Sequence, residues 1–258
     1  MQVCGRYAST KDPATLAVEF DAVDATDSEA PGADYNVAPT KPVLAIVARH
    51  PRDEDGKPDP DSVVRSVRVM RWGLVPTWSK DRNVGVKMIN ARSETAATKP
   101  SYRDSMARRR CILPADGWFE WKREGGAKEP FYVTGTDGES LAMAGLWSAW
   151  RDPNGEPDSP WLITCAVLTA DAFGPLAEVH ERMPLLLPRA SFEQWLAPDQ
   201  DSKAVADLLT PVPELVDALE LRPVSTAVNS IRNNGPELLV RAEPPAPEPT
   251  ELSLFEQP

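Results

Sequence analysis

Between residues 43 and 168 the chain repeats one pattern, an apolar stretch of six to nine residues closed off by a short polar, Pro- or Gly-bearing break. The stretches are VLAIVA, SVVRSVRVM, RCILPA, GWFEWK, PFYVTG, SLAMAGLW and PWLITCAVL. They are too short for core-filling helices, have the length of strands, and are rich in β-branched and aromatic residues. Asp137-Gly138 and Asn154-Gly155 read as turns, and HPRDEDGKPDPD as a polar surface excursion. Only short helices fit between the strands. Asp12-Pro13 reads as an N-cap and first-turn proline, and further helices are expected near Tyr102 to Arg108, Asp171 to Val179, Ser191 to Leu196 and Lys203 to Leu209. The fold class that follows is α+β: a single domain with a curled, mostly antiparallel, barrel-like sheet and peripheral short helices. It is expected over residues 1–242, because 243–258 (EPPAPEPTELSLFEQP) is too rich in Pro and Glu to bury a core and reads as a disordered tail.

With 258 residues and 41% hydrophobic content, the chain can bury a substantial core. No apolar run approaches the roughly 20 residues of a membrane span, and the start lacks the basic-then-apolar pattern of a signal peptide. A cytoplasmic protein with no membrane partner is the expectation. Cys4, Cys111 and Cys165 are too scattered for a disulfide framework or a Cys-x-x-Cys site, and His50 and His180 are the only histidines. No metal and no cofactor is expected.

The net charge of −11 would repel a polyanion, but the average hides an asymmetry. Residues 65–123 hold 14 Lys/Arg against 5 Asp/Glu, which is half of all the basic residues in the chain. Such a block is either a solvated charged surface or a phosphate-binding face on an otherwise acidic protein.

Four stretches set polar residues in apolar or aromatic surroundings: CGRY at 4–7, MINARSET at 88–95, ADGWFEWK at 115–122 and LTADAFGPLAEVHERMP at 168–184. Glu120 lies between Phe119 and Trp121 and by alternation shares a face with Trp118. Partial desolvation there would raise its pKa toward neutrality, as proton transfer requires, although a core-edge glutamate paired with an arginine fits the same spacing. His180 follows a short helix and precedes an apolar strand, where a histidine is either a packing residue or a functional one. Asn90 and Arg92 either orient a substrate or form a turn.

Taken in order, these stretches resemble the SOS-response-associated peptidase (SRAP) family, whose members process abasic sites in DNA. The resemblance runs from Cys4 to about Asn234 and includes the Cys-Gly-Arg start, YNVAPT (35–40), RWGLVPTW (71–78), INARSET with KPSYRDSMARRRCILPADGWFEW, AGLW, and Thr169 and His180 before Glu181-Arg182-Met183-Pro184. It implies a covalent abasic-site sensor, acting during replication and SOS repair, with the N-terminal cysteine as the reactive residue. An abasic deoxyribose opens to an aldehyde. An α-amine, with a reference pKa of about 7.7 to 8.0, is partly neutral at pH 7 and forms a Schiff base. The thiol of the same residue then closes a five-membered thiazolidine. Lyase and autopeptidase activities are implied as well.

Site roles also come from the resemblance. Asn90 would position the amine and sugar, Glu120 would transfer protons, His180 would donate to the sugar ring oxygen, and Thr169 would hold His180. Arg6, Asn36, Arg92, Arg108, Arg109 and Arg110 are expected on DNA, largely as phosphate ligands. Trp72 and Trp78 either stack on bases or fill the core. The partner implied is single-stranded DNA with an abasic site, met by a monomer that is nucleoid-associated when bound.

The thiazolidine needs a free amine on Cys4, yet Met1-Gln2-Val3 precede it. Initiation at a GTG codon for Val3 followed by methionine trimming is the expected explanation, with self-cleavage after Val3 the other. In the tail, Glu251-Leu252-Ser253-Leu254-Phe255 resembles the Gln-Leu-Ser-Leu-Phe motif that docks on the replication sliding clamp, with Leu252, Leu254 and Phe255 as anchors. Two other classes stay open: an N-terminal-nucleophile cysteine amide hydrolase or peptidase, and a noncatalytic DNA-binding module in which Cys4 is dispensable. The basic block with its tryptophans argues against the hydrolase, which has no need of it.

Overall fold

The computed structural model describes residues 4–156 and 158–242. The expected tail with Leu252, Leu254 and Phe255, and residues 1–3, lie outside the described residues. The strands are β1 (Arg6–Ser9), β2 (Val23–Asp24), β3 (Asp34–Val37), β4 (Pro42–Arg49), β5 (Val64–Trp72), β6 (Asn90–Arg92) and β7 (Arg110–Ala115). Then follow β8 (Gly117–Glu124), β9 (Ala127–Gly135), β10 (Leu141–Trp150), β11 (Leu162–Asp171), β12 (Arg182–Pro184) and β13 (Leu219–Pro223). Short helices α1 (Pro13–Glu19), α2 (Ser93–Ala96), α3 (Arg103–Arg108), α4 (Phe192–Leu196) and α5 (Pro213–Asp217) sit between them. None is long and apolar enough to cross a membrane. Asp12 caps α1 as its sequence suggests, accepting from the Ala14 and Thr15 amides, with Pro13 in the first turn.

One sheet runs β13-β9-β8-β1-β3, antiparallel throughout. The larger runs β12-β11-β10-β7-β4-β5-β2, with β6 beside β11. A parallel pairing of β11 with β5, through Thr164 with Arg71 and Cys165 with Trp72, joins β11, β10, β7, β4 and β5 into a ring-like circuit. The sheet-dominated α+β fold with peripheral short helices is therefore present. Its antiparallel hairpins are supplemented by three parallel pairings of β11 with β5, β11 with β6 and β2 with β5.

Alternation along the strands of the circuit sorts their side chains into two clusters. One joins Leu44, Ile46, Ile112, Leu146 and Leu168 to Leu16, Met106, Phe192 and Trp195 of the helices. The other joins Ala45, Val47, Cys111, Leu113, Met143 and Val167 to Tyr7, Trp118 and Val133 of the five-stranded sheet and to Cys4 just before it. Helices thus cover one face and the second sheet the other. Two expectations change. Residues 171–179 are not a helix: β11 continues to Asp171, and only a 3-10 turn over Gly174–Glu178 follows, opened by Pro175. Likewise 203–209 yields a 3-10 turn over Ala206–Leu209.

Candidate active site and nucleic-acid face

β1 pairs with β8 through Arg6 with Phe119 and Tyr7 with Trp118, which brings the chain just before β1 alongside Glu120. The Cys4 backbone N–H donates to Glu120 Oε2 at 3.0 Å, and both residues are buried. Desolvation raises the Glu120 carboxyl to about 7; the Cys4 and Trp121 amides and Lys128 oppose the rise. The Cys4 thiol is pushed up by burial and then by the nearby Glu120 charge. Cys4 also holds φ at +43°, in the left-handed region that non-glycine residues seldom enter.

A second group gathers where β6 runs parallel to β11, with Asn90 beside Val167 and Arg92 beside Thr169. Asn90, Arg92, Thr169 and Arg182 line a cavity of about 220 Å³ with Lys99 and Tyr102. The Tyr102 hydroxyl donates to the Asn90 carbonyl at 2.9 Å. His180 is buried, and its Nδ1 accepts the Arg182 backbone N–H at 3.0 Å. That bond leaves the proton of the neutral ring on Nε2, which has no hydrogen-bond partner among the described residues. Burial lowers the His180 pKa, so neutrality is its favoured state. Arg182 donates to Glu94, Asp171 and the Thr169 carbonyl and so fixes the loop that carries His180. Cys4, Ile89, Val167 and Met183 share one core cluster, which connects the two groups. Thr169 lies beside Arg182, to which its carbonyl is bonded; a bond from Thr169 to the His180 ring is not among its contacts.

Several expected DNA contacts are corrected by burial. Trp72 is fully buried, donates from Nε1 to the Ile89 carbonyl and meets Tyr7 edge-on, so no ring face is free for a base. Trp78, six residues on in the same string, is 61% exposed and available for stacking. Between them Gly73 (φ +119°) turns the chain out of β5, and a Cβ there would meet the Gly85 carbonyl oxygen at 2.5 Å. Arg110 is buried and spends all five N–H donors on the carbonyls of Met106, Ala107, Trp195, Ala197 and Gln200. It is a structural clamp. Asn36 is fully buried too; its amide donates to the carbonyls of Val228, Ser230 and Asn233 and accepts from Arg6 at 2.7 Å. It therefore orients Arg6, which also bonds the Val228 carbonyl, and has no capacity left for DNA. Arg92 and Arg108 are exposed and Arg109 half-buried.

The sequence reading missed Tyr102 and Arg182 as supports of Asn90 and His180. The Glu181-Arg182-Met183-Pro184 string was the available signal for the second. Among the described residues no three His, Cys, Asp or Glu side chains gather as a metal ion would need.

Comparison with known proteins agrees in extent. The SOS response associated peptidase (SRAP) family matches residues 3–231. The abasic site processing protein YoqW of Bacillus subtilis is 34% identical, aligned over 92% of this chain and 99% of its own. YedK of Escherichia coli, also named an abasic site processing protein, is 31% identical over 92% and 99%. Chicken HMCES, of the same name, is 32% identical over 81% of this chain and 66% of its own. A solved Bacteroides thetaiotaomicron structure superposes with a TM-score of 0.75 at 24% identity, covering 93% of this chain and 100% of that one. With its family matched over nearly the whole length and its bacterial relatives aligned over 99% of theirs, the chain belongs to the SRAP family.

Proposed function

We propose that this protein captures abasic sites in single-stranded DNA covalently, through Cys4, once residues 1–3 have been removed. The observation that carries this reading is the buried pairing of the Cys4 nitrogen with a carboxyl that titrates near 7. The names of the relatives, which concern abasic sites, support the substrate. After processing, the nitrogen that now donates as an amide is an α-amine at the same position. It attacks the aldehyde carbon of the opened sugar. Glu120 takes a proton from the attacking nitrogen and returns one to the departing hydroxyl, so that one water leaves and a C=N bond forms. The Cys4 S–H then adds across that bond, sulfur to carbon and proton to nitrogen, to close the thiazolidine. His180 acts as a neutral Nε2–H donor to the sugar oxygen, and Asn90 with Thr169 and Arg92 shapes the neighbouring cavity.

The raised thiol weighs against a cysteine amide hydrolase, which needs a thiolate near neutral pH. Processing has a physical reason as well. The left-handed φ of Cys4 exists only while residue 3 is attached; for an L-residue it costs roughly 1–2 kcal/mol, which removal of residues 1–3 would relieve.

The test is intact mass spectrometry of the natively expressed protein before and after incubation with an oligonucleotide carrying one abasic site. A chain lacking residues 1–3, forming an adduct that Cys4→Ala abolishes, is the expected result. Retention of Met1 to Val3 in all of the protein, with no adduct, would refute the proposal. Clamp docking by the tail is a separate proposal: Phe255→Ala should abolish binding to the replication clamp, and no binding by the intact chain would end it.

A further inference from the structure

The chemistry at Cys4 makes no use of a cluster of basic side chains elsewhere in the fold. β4 ends at Arg49, His50 and Arg52 follow, and β7 is preceded by Arg108 and Arg109. Together with Thr77 and Trp147 of β10 these side chains line a groove of about 1070 Å³. The Arg49 guanidinium lies 4.0 Å and that of Arg109 5.5 Å from the centroid of the Trp147 indole, which is itself packed in the core. Stacking of this kind fixes a guanidinium in place at little further entropic cost.

No carboxylate of the described residues forms an ion pair with Arg49, Arg52, Arg108 or Arg109. Asp104, the acidic residue in the lining, pairs with Arg103, while His50 is engaged by Asp199. Uncompensated charge is felt at Arg49, which is lowered to about 10 by desolvation and then by Arg68, Arg109 and Arg52. Arginines stacked and crowded without a counter-charge are favourable partners for an anion.

The groove adjoins the lesion site along one segment of chain. Lys99 and Tyr102 line the cavity with Asn90 and Arg92. Pro100, Ser101, Ser105 and Arg109 line a cleft against the exposed Trp78. Asp104, Arg108 and Arg109 then enter the basic groove. Residues 99–109 thus form a continuous rail from the cavity, past an indole, to the arginines.

We propose that the Arg49–Trp147–Arg109 groove is a second station for the same single strand, its two arginines holding two backbone phosphates several nucleotides from the lesion at Cys4. The proposal rests on the single-stranded DNA reading above, but not on the covalent chemistry. It is tested with the full chain and undamaged, fluorescently labelled oligothymidylates of 4 and 16 nucleotides, by anisotropy across a salt series. The wild type should bind the 16-mer more tightly than the 4-mer. Arg49→Gln with Arg109→Gln should lower the 16-mer slope of log K against log salt by about 1.4, two phosphate contacts at about 0.7 each, and leave the 4-mer unchanged. The double lysine variant should retain most of the slope. If the glutamine pair fails to fold by circular dichroism, Arg52→Gln with Arg108→Gln removes charge from the same groove without touching the indole stack and should lower the slope likewise.

An unchanged slope in a folded variant, or no binding of the 16-mer by the wild type, overturns the proposal. So does thymidine monophosphate displacing the 16-mer at equal nucleotide concentration, which would make the groove a free-nucleotide site. Adduct formation on a 4-mer containing an abasic site, measured in parallel, separates the two claims. Crosslinking with an unchanged slope sinks only the groove, whereas a lowered slope without crosslinking sinks only the Cys4 chemistry.

Discussion

In the chain that retains residues 1–3, Glu120→Gln should be stabilising, by an amount that depends on pH in a calculable way. The Glu120 carboxyl moves from an ordinary 4.5 to about 7, chiefly because burial penalises its charged form. Below pH 4.5 the group is protonated whether the chain is folded or not, and burial costs nothing. Between 4.5 and 7 the unfolded chain releases the proton and the folded one retains it, so stability falls as pH rises. Above 7 the full penalty is present, about 2.5 pKa units or about 3 kcal/mol at 1.36 kcal/mol per unit. Glutamine keeps the shape and an acceptor for the Cys4 N–H and has no charge to bury. Urea unfolding of a chain that retains residues 1–3 should show the two proteins' stabilities diverging by about 3 kcal/mol between pH 4.5 and 8, or roughly 6–12 °C in melting temperature. His180, lowered by burial, titrates in both proteins and cancels in the difference. A difference that stays constant with pH would refute the assignment of desolvation as the cause.

The two tryptophans of RWGLVPTW should separate stability from binding. Trp72→Ala, which empties a core site, should cost about 3–5 kcal/mol in urea unfolding. Trp78→Ala should leave stability within about 0.5 kcal/mol and weaken single-stranded DNA binding roughly 5- to 150-fold by anisotropy. Arg110→Lys has at most three donors for five carbonyls and should destabilise by about 2–4 kcal/mol, with no change in the salt slope of DNA binding. In NMR titrations the only two histidines should part company. His50, bonded to Asp199 and the Ser62 carbonyl, should titrate above 6.5 and buried His180 below it.

The strands were legible because their apolar runs are local: RCILPA matches β7 residue for residue, and VLAIVA lies within β4. The ring-like closure was not, because the pairing of β11 with β5 joins Thr164 to Arg71, and no local pattern encodes a partner so far away. β1 and β3 are four-residue strands without a readable period. Site residues followed the same divide. Glu120 was found through alternation with Trp118, a local relation. Trp72 obeys the same local relation: it follows Met70 at strand spacing and shares its core cluster, which marks it as inward-facing, whereas Trp78 lies beyond the end of β5. In the Arg108-Arg109-Arg110 run, identical residues receive different fates because only the third begins β7 beside the carbonyls after α4.

The last question, whether Cys4 acts with a free amine, can be put to the stability of the fold itself. With residues 1–3 attached, Glu120 faces an uncharged amide, and Glu120→Gln relieves a buried carboxylate. In a chain released at Cys4 by a sequence-specific protease, an α-ammonium replaces that amide at the same 3.0 Å contact, and the opposite charge favours ionised Glu120. The penalty shrinks, and Gln then leaves a buried ammonium without its counter-charge, which is destabilising. Glu120→Gln should therefore stabilise the longer chain at pH 8 by about 3 kcal/mol and destabilise the processed chain at pH 7, a reversal of sign from one substitution. Urea unfolding of the four proteins reads it directly. The same sign in both backgrounds would mean that the processed amine does not occupy the position of the amide, and Glu120 would then be too far from it to serve as its proton-transfer partner.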